Sequence, residues 1–299
     1  MSWRVLGDWG TSRLRLYRVE DGEVTDRCEG PGIGMLTTSP EETLRATLAP
    51  WCGMSRPTAI YLCGMAGSRG GLHEIAYVDC PADVRDWSSA APMLAFDDIP
   101  LRIAPGLACV DATGRPDVMR GEEAQIFGAI ALEAALGQGS SCFVLPGTHS
   151  KWVTVEGGRV TGFRTFPTGE LFALLRDRST LLPGGSYDSA DEPAGFADGL
   201  DRAASGGGLL GSLFEARASQ LRAGKSPGWA AGFLSGLIIG NEIADMRDAD
   251  GLPDNALMIG AAALTARYAT ALARFGIASR EIDGDITVLR GLELIDANG

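Results

Sequence analysis

The stretch Trp3–Val19, WRVLGDWGTSRLRLYRV, predicts two β-strands joined by a polar turn. Its second half alternates polar and apolar side chains, which is typical of a half-buried strand. The turn is longer than the two-residue loop of a tight hairpin. It carries one carboxylate, two hydroxyls and a glycine: Asp8, Gly10, Thr11 and Ser12. Such a turn is either a plain polar loop or a binding site, with N–H and hydroxyl donors for an anion and a carboxylate for the water shell of a metal ion.

The length and charge of the chain limit the classes of protein to which it can belong. A chain of 299 residues suggests two domains or lobes. Its 38 acidic and 26 basic residues give a net charge of −12, which argues against non-specific binding to nucleic acid or to anionic membranes. The sequence predicts neither a signal peptide nor a membrane span. We therefore expect a cytoplasmic protein with no nucleic-acid or membrane partner.

Several common functional motifs are excluded or disfavoured. The six cysteines include no Cys-x-x-Cys pair, so zinc and redox spacings are absent and free thiols in a reducing compartment account for them best. Only two histidines are present, which makes a His-based metal site or a Ser-His-Asp triad hard to assemble. Gly224–Ser226 lacks the earlier glycine of a P-loop, because Ser219 stands there. The GxGxxG run at 206–211 has no strand before it.

A second strand–turn–strand unit follows in the middle of the chain. Ser141–Leu145 predicts a buried strand and Trp152–Val155 predicts its return strand. Between them lies the turn PGTHSK, which is again rich in glycine and hydroxyl side chains. We call Gly10–Ser12 the first loop and Pro146–Lys151 the second loop.

Two further segments combine glycine with charged side chains. The predicted strand Ala59–Cys63 runs into Gly64–Gly71, which contains Ser68 and Arg69 and which we call the Arg69 loop. Met119–Glu123, with the sequence MRGEE, precedes a segment of helical period, so its acidic pair lies at a helix N terminus, where negative charge is favoured. Taken singly, these segments are equally well explained as a glycine-rich connection and a solvated helix cap.

Together, these segments indicate an ATP-dependent phosphotransferase of the actin, Hsp70 and sugar-kinase type. The first and second loops can hold the phosphates of one nucleotide from two sides. The pair Glu122 and Glu123 can accept a proton from an alcohol. Gly236 and Gly240 lie in an apolar segment and would let the backbone approach a base or a ribose closely.

The rest of the pattern predicts secondary structure. Ser39 followed by Pro40 predicts a helix start, and the last part of the chain is mostly helical in period. Within that part, Ala256–Phe275 is predicted as a helix and Pro183–Asp201 as a surface loop rich in Gly, Pro, Asp and Ser. Glu281–Leu289 is predicted as a final edge strand.

The sequence resembles the 2-dehydro-3-deoxygalactonokinases over nearly the whole chain. The matching stretches are DWGTS at 8–12, GMAGSR at 64–69, MRGEE at 119–123, LPGTHSKW at 145–152, TGELF at 168–172 and SGLIIGNE at 235–242. The LPGTHSKW stretch is the most specific of them, whereas Asp-x-Gly-Thr-Ser is shared by the wider superfamily.

The resemblance implies an α/β fold of two ribonuclease-H-like lobes, of the actin and sugar-kinase type, with ATP in a central cleft. Residues 1–118 would form the N-terminal lobe, with the first loop and the sugar-acid contacts. Residues 119–299 would form the C-terminal lobe, with the second loop and the adenosine site. The reaction implied is transfer of the γ-phosphate of ATP, with Mg²⁺, to the 6-hydroxyl of 2-dehydro-3-deoxy-D-galactonate in sugar-acid catabolism.

The same resemblance suggests a role for each candidate residue. Asp8 would bind Mg²⁺ through water and take part in catalysis. The nucleotide contacts would come from Gly10, Thr11, Ser12, Gly147, Thr148, His149, Ser150, Lys151, Gly236 and Gly240. Many superfamily members carry an Asp in the second loop, but this chain does not, so the general base must lie elsewhere. Glu122 or Glu123 is the candidate, as in the Gly-x-Glu-Glu segment of related exopolyphosphatases, and the sequence does not choose between them.

The carboxylate of the implied substrate requires a fork of donors, which an arginine supplies in bidentate geometry. Arg69 is the leading candidate for this contact, with Ser68 beside it. Arg120 and Arg164 are the alternatives.

Other functions stay open at this point. The substrate could be the gluconate epimer, which differs at a single hydroxyl. The acidic pair would also suit an exopolyphosphatase-like phosphohydrolase on the same fold. A sugar-binding regulator is disfavoured by the acidic charge and by the lack of a basic helix-turn-helix before Trp3. Exposed apolar residues in the C-terminal helices would suit a homodimer.

Overall fold

The computed structural model of the protein describes residues 2–53, 55–182, 188–249 and 251–297. Close contacts group the chain into two compact units. The first unit comprises Met1–Ser141, Val153–Phe163 and Asp283–Gly299, and the second comprises Cys142–Trp152 and Arg164–Ile282. These units do not follow the ranges 1–118 and 119–299, whose assignment as two lobes stays a prediction.

Strands and helices alternate along much of the chain. The strands are β1 (Trp3–Trp9), β2 (Arg13–Glu20), β3 (Glu23–Pro31), β4 (Ile60–Gly64), β5 (Val78–Asp79), β6 (Met93–Phe96), β7 (Ile99–Ile103), β8 (Leu107–Val110), β9 (Pro116–Met119), β10 (Ser140–Leu145), β11 (Ser150–Glu156), β12 (Arg159–Phe166), β13 (Asn255–Ile259) and β14 (Ala278–Ile282). The α-helices are α1 (Pro40–Cys52), α2 (Val84–Ser89), α3 (Glu122–Leu132), α4 (Thr168–Arg178), α5 (Glu192–Ala204), α6 (Leu209–Leu213), α7 (Glu215–Arg222), α8 (Pro227–Ala249), α9 (Ala262–Arg274) and α10 (Gly284–Ala297).

The hairpin predicted from the opening stretch is confirmed and belongs to a six-stranded sheet. Its strands follow the order β3-β2-β1-β4-β7-β6. Both β1 and β3 pair with β2 in antiparallel fashion, whereas β4 runs parallel to β1 and to β7. Leu14 and Leu16 on β2 are buried, so the alternating pattern identified the face that packs on the core. A smaller sheet in this unit has the order β5-β8-β9.

The helix predicted to begin at Ser39 and Pro40 is also confirmed. The Ser39 side chain accepts from the Glu42 N–H, and the Glu42 side chain accepts from the Ser39 N–H, which is a complete capping box. The apolar side of α1 packs on the six-stranded sheet through Leu44, Leu48 and Trp51.

The predicted edge strand at Glu281–Leu289 is wrong beyond Ile282. The strand β14 ends there, and α10 begins two residues later, because the Asp283 carboxylate accepts from the N–H groups of Asp285 and Ile286. Packing on α3 then holds α10 in place. A Cβ atom on Gly128 would lie 1.9 Å from Thr287 O, so the two helices approach each other at a position where only glycine fits.

A five-stranded sheet has the order β12-β11-β10-β13-β14. The strands predicted at Ser141–Leu145 and Trp152–Val155 are confirmed as β10 and β11. The prediction of one helix over Ala256–Phe275 is wrong in its first part, because Asn255–Ile259 forms β13, parallel to both β10 and β14. A short apolar run fits a buried strand and a buried helix equally well, and here the pairing with two neighbours decides.

In the second unit, α8 packs along α5 through small residues. A Cβ atom on Gly236 of α8 would lie 2.1 Å from Phe196 O, and one on Gly199 of α5 would lie 2.2 Å from Phe233 O. The surface loop predicted over Pro183–Asp201 is therefore wrong from Glu192 onward, where α5 begins; residues 183–187 of that range lie outside the described residues.

None of the helices in the described ranges combines the length and the apolar composition that a membrane crossing requires.

Candidate active site

The first loop is a rigid turn with exposed hydroxyl groups. The Gly10 N–H donates to Arg13 O at 2.8 Å, which closes the turn between β1 and β2. The Gly34 N–H donates to Thr11 O at 2.9 Å, which ties the turn to the segment that follows β3. The side chains of Thr11 and Ser12 are exposed. The backbone of the first loop is thus fixed, while its two hydroxyls can reach a ligand.

Asp8 lies at the end of β1 between a cation and a thiol. Its Oδ2 is 2.5 Å from Arg15 Nη2, directly across the hairpin, and Arg15 Nη1 is 2.5 Å from Asp285 Oδ1. The Cys63 thiol donates to Asp8 Oδ1 at 3.8 Å. Burial raises the pKa of Cys63 well above its ordinary value, and the carboxylates of Asp8 and Glu123 add to the rise. The thiol therefore stays protonated and can donate.

The N terminus of α3 lies against the end of β4, beside Asp8. A Cβ atom on Gly64 would lie 2.6 Å from Trp9 O and 3.3 Å from Asp8 Oδ1. A Cβ atom on Gly121 would lie 3.2 Å from the Cα of Gly64. Both glycines have positive φ, of 75° and 114°, so their conformation and the limited space exclude other residues. This close approach brings the first loop, Asp8 and the predicted acidic pair into one region of the first unit.

The two carboxylates of the acidic pair have different surroundings. Glu123 is fully buried, and both of its oxygens accept from the Gly121 N–H, at 2.8 and 2.7 Å. Burial raises the pKa of Glu123 to about 8, and the charge of Glu122 adds to the rise. Glu122 is half-buried, and its Oε2 accepts from the Arg120 N–H at 3.1 Å. The more accessible carboxylate is therefore that of Glu122.

The Arg69 loop lies in the same unit. Ser68 donates its hydroxyl to Met65 O at 2.8 Å, which stabilises the loop, and the Arg69 side chain is exposed. The Arg120 side chain packs against this loop. Its Nη1 would lie 2.7 Å from a Cβ atom on Gly67.

The Arg120 guanidinium is itself held on two sides. Its Nη2 donates to Ile75 O at 2.7 Å, and its guanidinium lies 4.2 Å from the centre of the Tyr77 ring. The Nε and Nη1 atoms of Arg120 are buried and have no hydrogen-bond partner among the described residues. Arg164, the third candidate, lies in the second unit, where it donates to Asp245 O at 3.4 Å and stacks on Phe166.

The second loop exposes two of its predicted ligands and buries two others. Thr148 and His149 are exposed and Gly147 is half-buried. Ser150 is fully buried and Lys151 is 4% exposed. The Ser150 hydroxyl donates to Glu242 and the Lys151 Nζ donates to His149 O, so both side chains are engaged within the protein. A phosphate contact by Ser150 or Lys151 stays a prediction.

The first turn of α4 covers the second loop. The Glu170 N–H donates to Thr148 O at 2.9 Å, and His149 Nε2 lies 2.8 Å from Glu170 Oε2. A Cβ atom on Gly169 would lie 2.3 Å from Gly147 O, so the helix rests directly on the loop backbone. The predicted list of site residues did not include Glu170, although it follows the second loop within a matching stretch.

Gly236 and Gly240 are accounted for by helix packing. Both lie inside α8 and face α5, where a Cβ atom on Gly240 would lie 2.6 Å from the Ala203 Cβ. A nucleotide contact by either glycine stays a prediction.

Two further charged residues were missed by the sequence reasoning. Arg15 is paired with Asp8 in the hairpin, and this pairing could have been deduced from the number of residues in the turn. Glu242 is a single carboxylate in the apolar run of α8 and is 3% exposed, which is an unusual position for a charged residue.

Comparisons with known proteins identify relatives of this chain. The family model for 2-keto-3-deoxy-galactonokinase matches residues 8–295. A Rhizobium meliloti (strain 1021) protein named "Probable 2-dehydro-3-deoxygalactonokinase DgoK1" is 39% identical over 294 residues, covering 95% of this chain and 94% of the relative. The 2-dehydro-3-deoxygalactonokinase of Escherichia coli (strain K12) is 34% identical over 290 residues, covering 96% and 95%.

Among solved structures, a crystal structure of a Sinorhizobium meliloti protein is 35% identical and has a TM-score of 0.85. The match covers 98% of this chain and 95% of that chain. The predicted α/β fold is confirmed. Because the family model and both relatives extend over nearly its whole length, the chain belongs to the 2-keto-3-deoxy-galactonokinase family.

Proposed function

We propose that this chain is an ATP-dependent kinase that phosphorylates the 6-hydroxyl of 2-dehydro-3-deoxy-D-galactonate. The observation that carries the proposal is the close approach of Gly121 to Gly64, which brings the N terminus of α3, where the half-buried Glu122 lies, to the end of β4 next to Asp8. Phosphoryl transfer depends on positioning, charge neutralisation and an oriented nucleophile, and these segments supply all three. The family to which the chain belongs supports the choice of substrate.

Each of the two loops, taken by itself, offers donors that suit the phosphate oxygens of ATP. In the first loop these are the exposed hydroxyls of Thr11 and Ser12 and the backbone at Gly10. In the second loop they are the backbone at Gly147 and the exposed Thr148, with His149 next to it. Successive N–H and hydroxyl donors of this kind bind anions without the help of a lysine.

Mg²⁺ fits the first loop as a shared ion. The described residues contain no group of three or more His, Cys, Asp or Glu side chains that could form a complete protein cage. Mg²⁺ usually keeps several waters and takes one or two carboxylates together with phosphate oxygens, which suits the single carboxylate of Asp8. Asp8 would hold the ion through water, and the ion would neutralise charge on the phosphates.

Glu122 is the general base in this proposal. A base must come within hydrogen-bond reach of the hydroxyl proton, which favours a half-buried carboxylate over one that is fully enclosed. The carboxylate of Glu122 accepts that proton as the 6-hydroxyl attacks the γ-phosphate. Glu123 closes the N terminus of α3 through its hydrogen bonds to Gly121.

Arg69 binds the carboxylate of the sugar acid. Its guanidinium is exposed on a loop that Ser68 and Arg120 stabilise, so it can offer a bidentate fork without rearrangement. Arg120 is the second candidate, because two of its nitrogens lack partners. The cytoplasmic location, the homodimer and the absence of nucleic-acid partners stay predictions.

The product identifies the reaction. Phosphorus NMR of a reaction containing ATP, Mg²⁺ and 2-dehydro-3-deoxy-D-galactonate should show a new phosphate ester whose phosphorus couples to the two protons on C6. A product phosphorylated at another carbon would contradict the proposed acceptor. Inorganic phosphate as the only product would favour the phosphohydrolase alternative.

A further inference from the structure

Glu242 accepts hydrogen bonds from four side chains of the second unit, which lie on β11, α4 and α9. Its Oε1 accepts from Ser150 Oγ at 2.8 Å and from Trp152 Nε1 at 2.7 Å. Its Oε2 accepts from Thr168 Oγ1 at 2.5 Å and from the Tyr268 hydroxyl at 2.7 Å. No arginine or lysine takes part in these four contacts. A carboxylate has about four lone-pair sites, so these donors can satisfy it completely.

Two of the four donors connect Glu242 to the second loop. Ser150 belongs to the loop and is the first residue of β11, and Thr168 is the first residue of α4, whose next two residues cover the loop. Gly169 approaches Gly147 O, and the Glu170 N–H donates to Thr148 O. The carboxylate therefore fixes the second loop at its far end and, through α4, along its exposed backbone.

The other two donors serve the core of the unit. Trp152 lies on β11 beyond the loop, and Tyr268 lies on α9. Both are almost fully buried. They hold the carboxylate in place but do not belong to the loop or to the helix turn that covers it.

Burying a carboxylate in an apolar helix costs free energy, so its presence there needs an explanation. Burial raises the pKa of Glu242, and the hydrogen bonds from Thr168, Trp152, Tyr268 and Ser150 oppose the rise. The helix α8 packs on α5 through glycines and apolar side chains, and that contact does not require a carboxylate. The second loop is the polar feature that Glu242 organises.

We propose that Glu242 is a positioning residue for the second loop, which it holds in the conformation that presents Gly147 and Thr148 to the nucleotide phosphates. It does so by accepting hydrogen bonds from the hydroxyls of Ser150 and Thr168 at the same time. This inference rests on the proposed function, because it assumes that the second loop binds ATP. It assigns Glu242 to nucleotide affinity and not to recognition of the sugar acid.

The test measures nucleotide affinity apart from turnover. Dissociation constants for ADP would be measured by titration calorimetry on the wild-type protein, Glu242→Gln, Thr168→Val and Trp152→Phe, together with KM for the sugar acid. We expect Kd for ADP to rise about tenfold or more in Glu242→Gln and about fivefold in Thr168→Val, as for loss of a hydrogen bond to a charged group. KM for the acid should change by less than about twofold in both.

Trp152→Phe is the matched control, since it removes one N–H donor from the same carboxylate while Ser150 and Thr168 keep their hydroxyl groups. Its melting temperature should fall, while its Kd for ADP stays within about twofold of the wild-type value. If Trp152→Phe weakens ADP binding as much as Thr168→Val does, the effect is general destabilisation and the inference fails. It also fails if Thr168→Val binds ADP like the wild type.

If Glu242→Gln does not fold, the comparison of Thr168→Val with Trp152→Phe decides alone. The substrate proposal is judged separately, because wild-type protein that binds ADP but phosphorylates neither acid would contradict that proposal and leave this test intact.

Discussion

The Glu123 carboxylate accepts hydrogen bonds from the Gly121 N–H at both of its oxygens, at 2.8 and 2.7 Å. This contact uses the buried member of the acidic pair to close the N terminus of α3. Glu122, which precedes it, stays half-buried. Two adjacent carboxylates of the same type therefore have separable roles, and the difference can be measured.

Replacing Glu122 by Gln should lower kcat by about 10²–10⁴-fold, because an amide cannot accept the proton of the attacking hydroxyl. Glu123→Gln is the matched variant and should lower kcat by less than about tenfold. Steady-state kinetics at saturating ATP and sugar acid would measure both. A larger loss of kcat in Glu123→Gln would reverse the assignment of the base.

The stability of the protein should depend on pH through Glu123. Burial raises its folded-state pKa from 4.5 to about 8, so the folded protein holds this proton more tightly than the unfolded chain does. The resulting stabilisation of the folded state is complete at pH values below the ordinary pKa of 4.5. It is lost as the pH rises through about 8. This group should lower the free energy of unfolding by up to about 1.4 kcal/mol for each pH unit in that window.

Urea unfolding across the same pH window, on the wild-type protein and on Glu123→Gln, would measure this effect. The variant should lose less stability as the pH rises, because its amide does not titrate. Equal pH dependence in the two proteins would show that Glu123 titrates near its ordinary pKa.

Arg69→Lys should raise KM for the sugar acid about tenfold or more and leave KM for ATP unchanged, because lysine cannot supply a bidentate fork. Arg222→Lys, an exposed arginine at the end of α7, is the control for loss of a surface guanidinium. Initial rates at varied acid and varied ATP would separate the two constants. An equal rise in both constants would remove Arg69 from substrate recognition, and a larger effect of Arg120→Lys would transfer the role to Arg120.

Gly236→Ala should destabilise the protein by about 1–3 kcal/mol, because its Cβ would meet the backbone of α5. That Cβ would lie 2.1 Å from Phe196 O, whereas a Cβ on Gly211, inside α6, would meet nothing within 4 Å. Gly211→Ala should therefore leave stability unchanged or raise it by up to about 1 kcal/mol. Thermal unfolding would compare the stabilities of the two variants with that of the wild-type protein. A Gly236→Ala protein of normal stability with a raised KM for ATP would instead place this glycine at the nucleotide.

Short sequence patterns predicted the elements whose structure is determined by neighbouring residues in the chain. The alternation in β2, the capping residues Ser39 and Glu42 and the apolar run of β10 each determine structure within a few residues. The errors arose where distant packing decides. In Pro183–Asp201, Gly195 and Gly199 resemble loop residues, but they are the small residues that the contact with α8 requires.

The candidate site divides in the same way. The two loops and the acidic pair are contiguous in sequence, and so they were predictable. The Glu242 cluster was not, because its partners come from Ser150, Trp152, Thr168 and Tyr268, and no local spacing relates them. The difference between Glu122 and Glu123 depends on burial, which a sequence motif does not report.

The central claim is tested most directly by ADP release from ATP and Mg²⁺, measured with 2-dehydro-3-deoxy-D-galactonate, with its gluconate epimer and with no acid. We predict rapid release with the galactonate acid, much slower release with the epimer and none without an acid. Equal rates with both acids would keep the kinase and contradict the choice of epimer. Release of phosphate without an acid, or no turnover under any condition, would contradict the account.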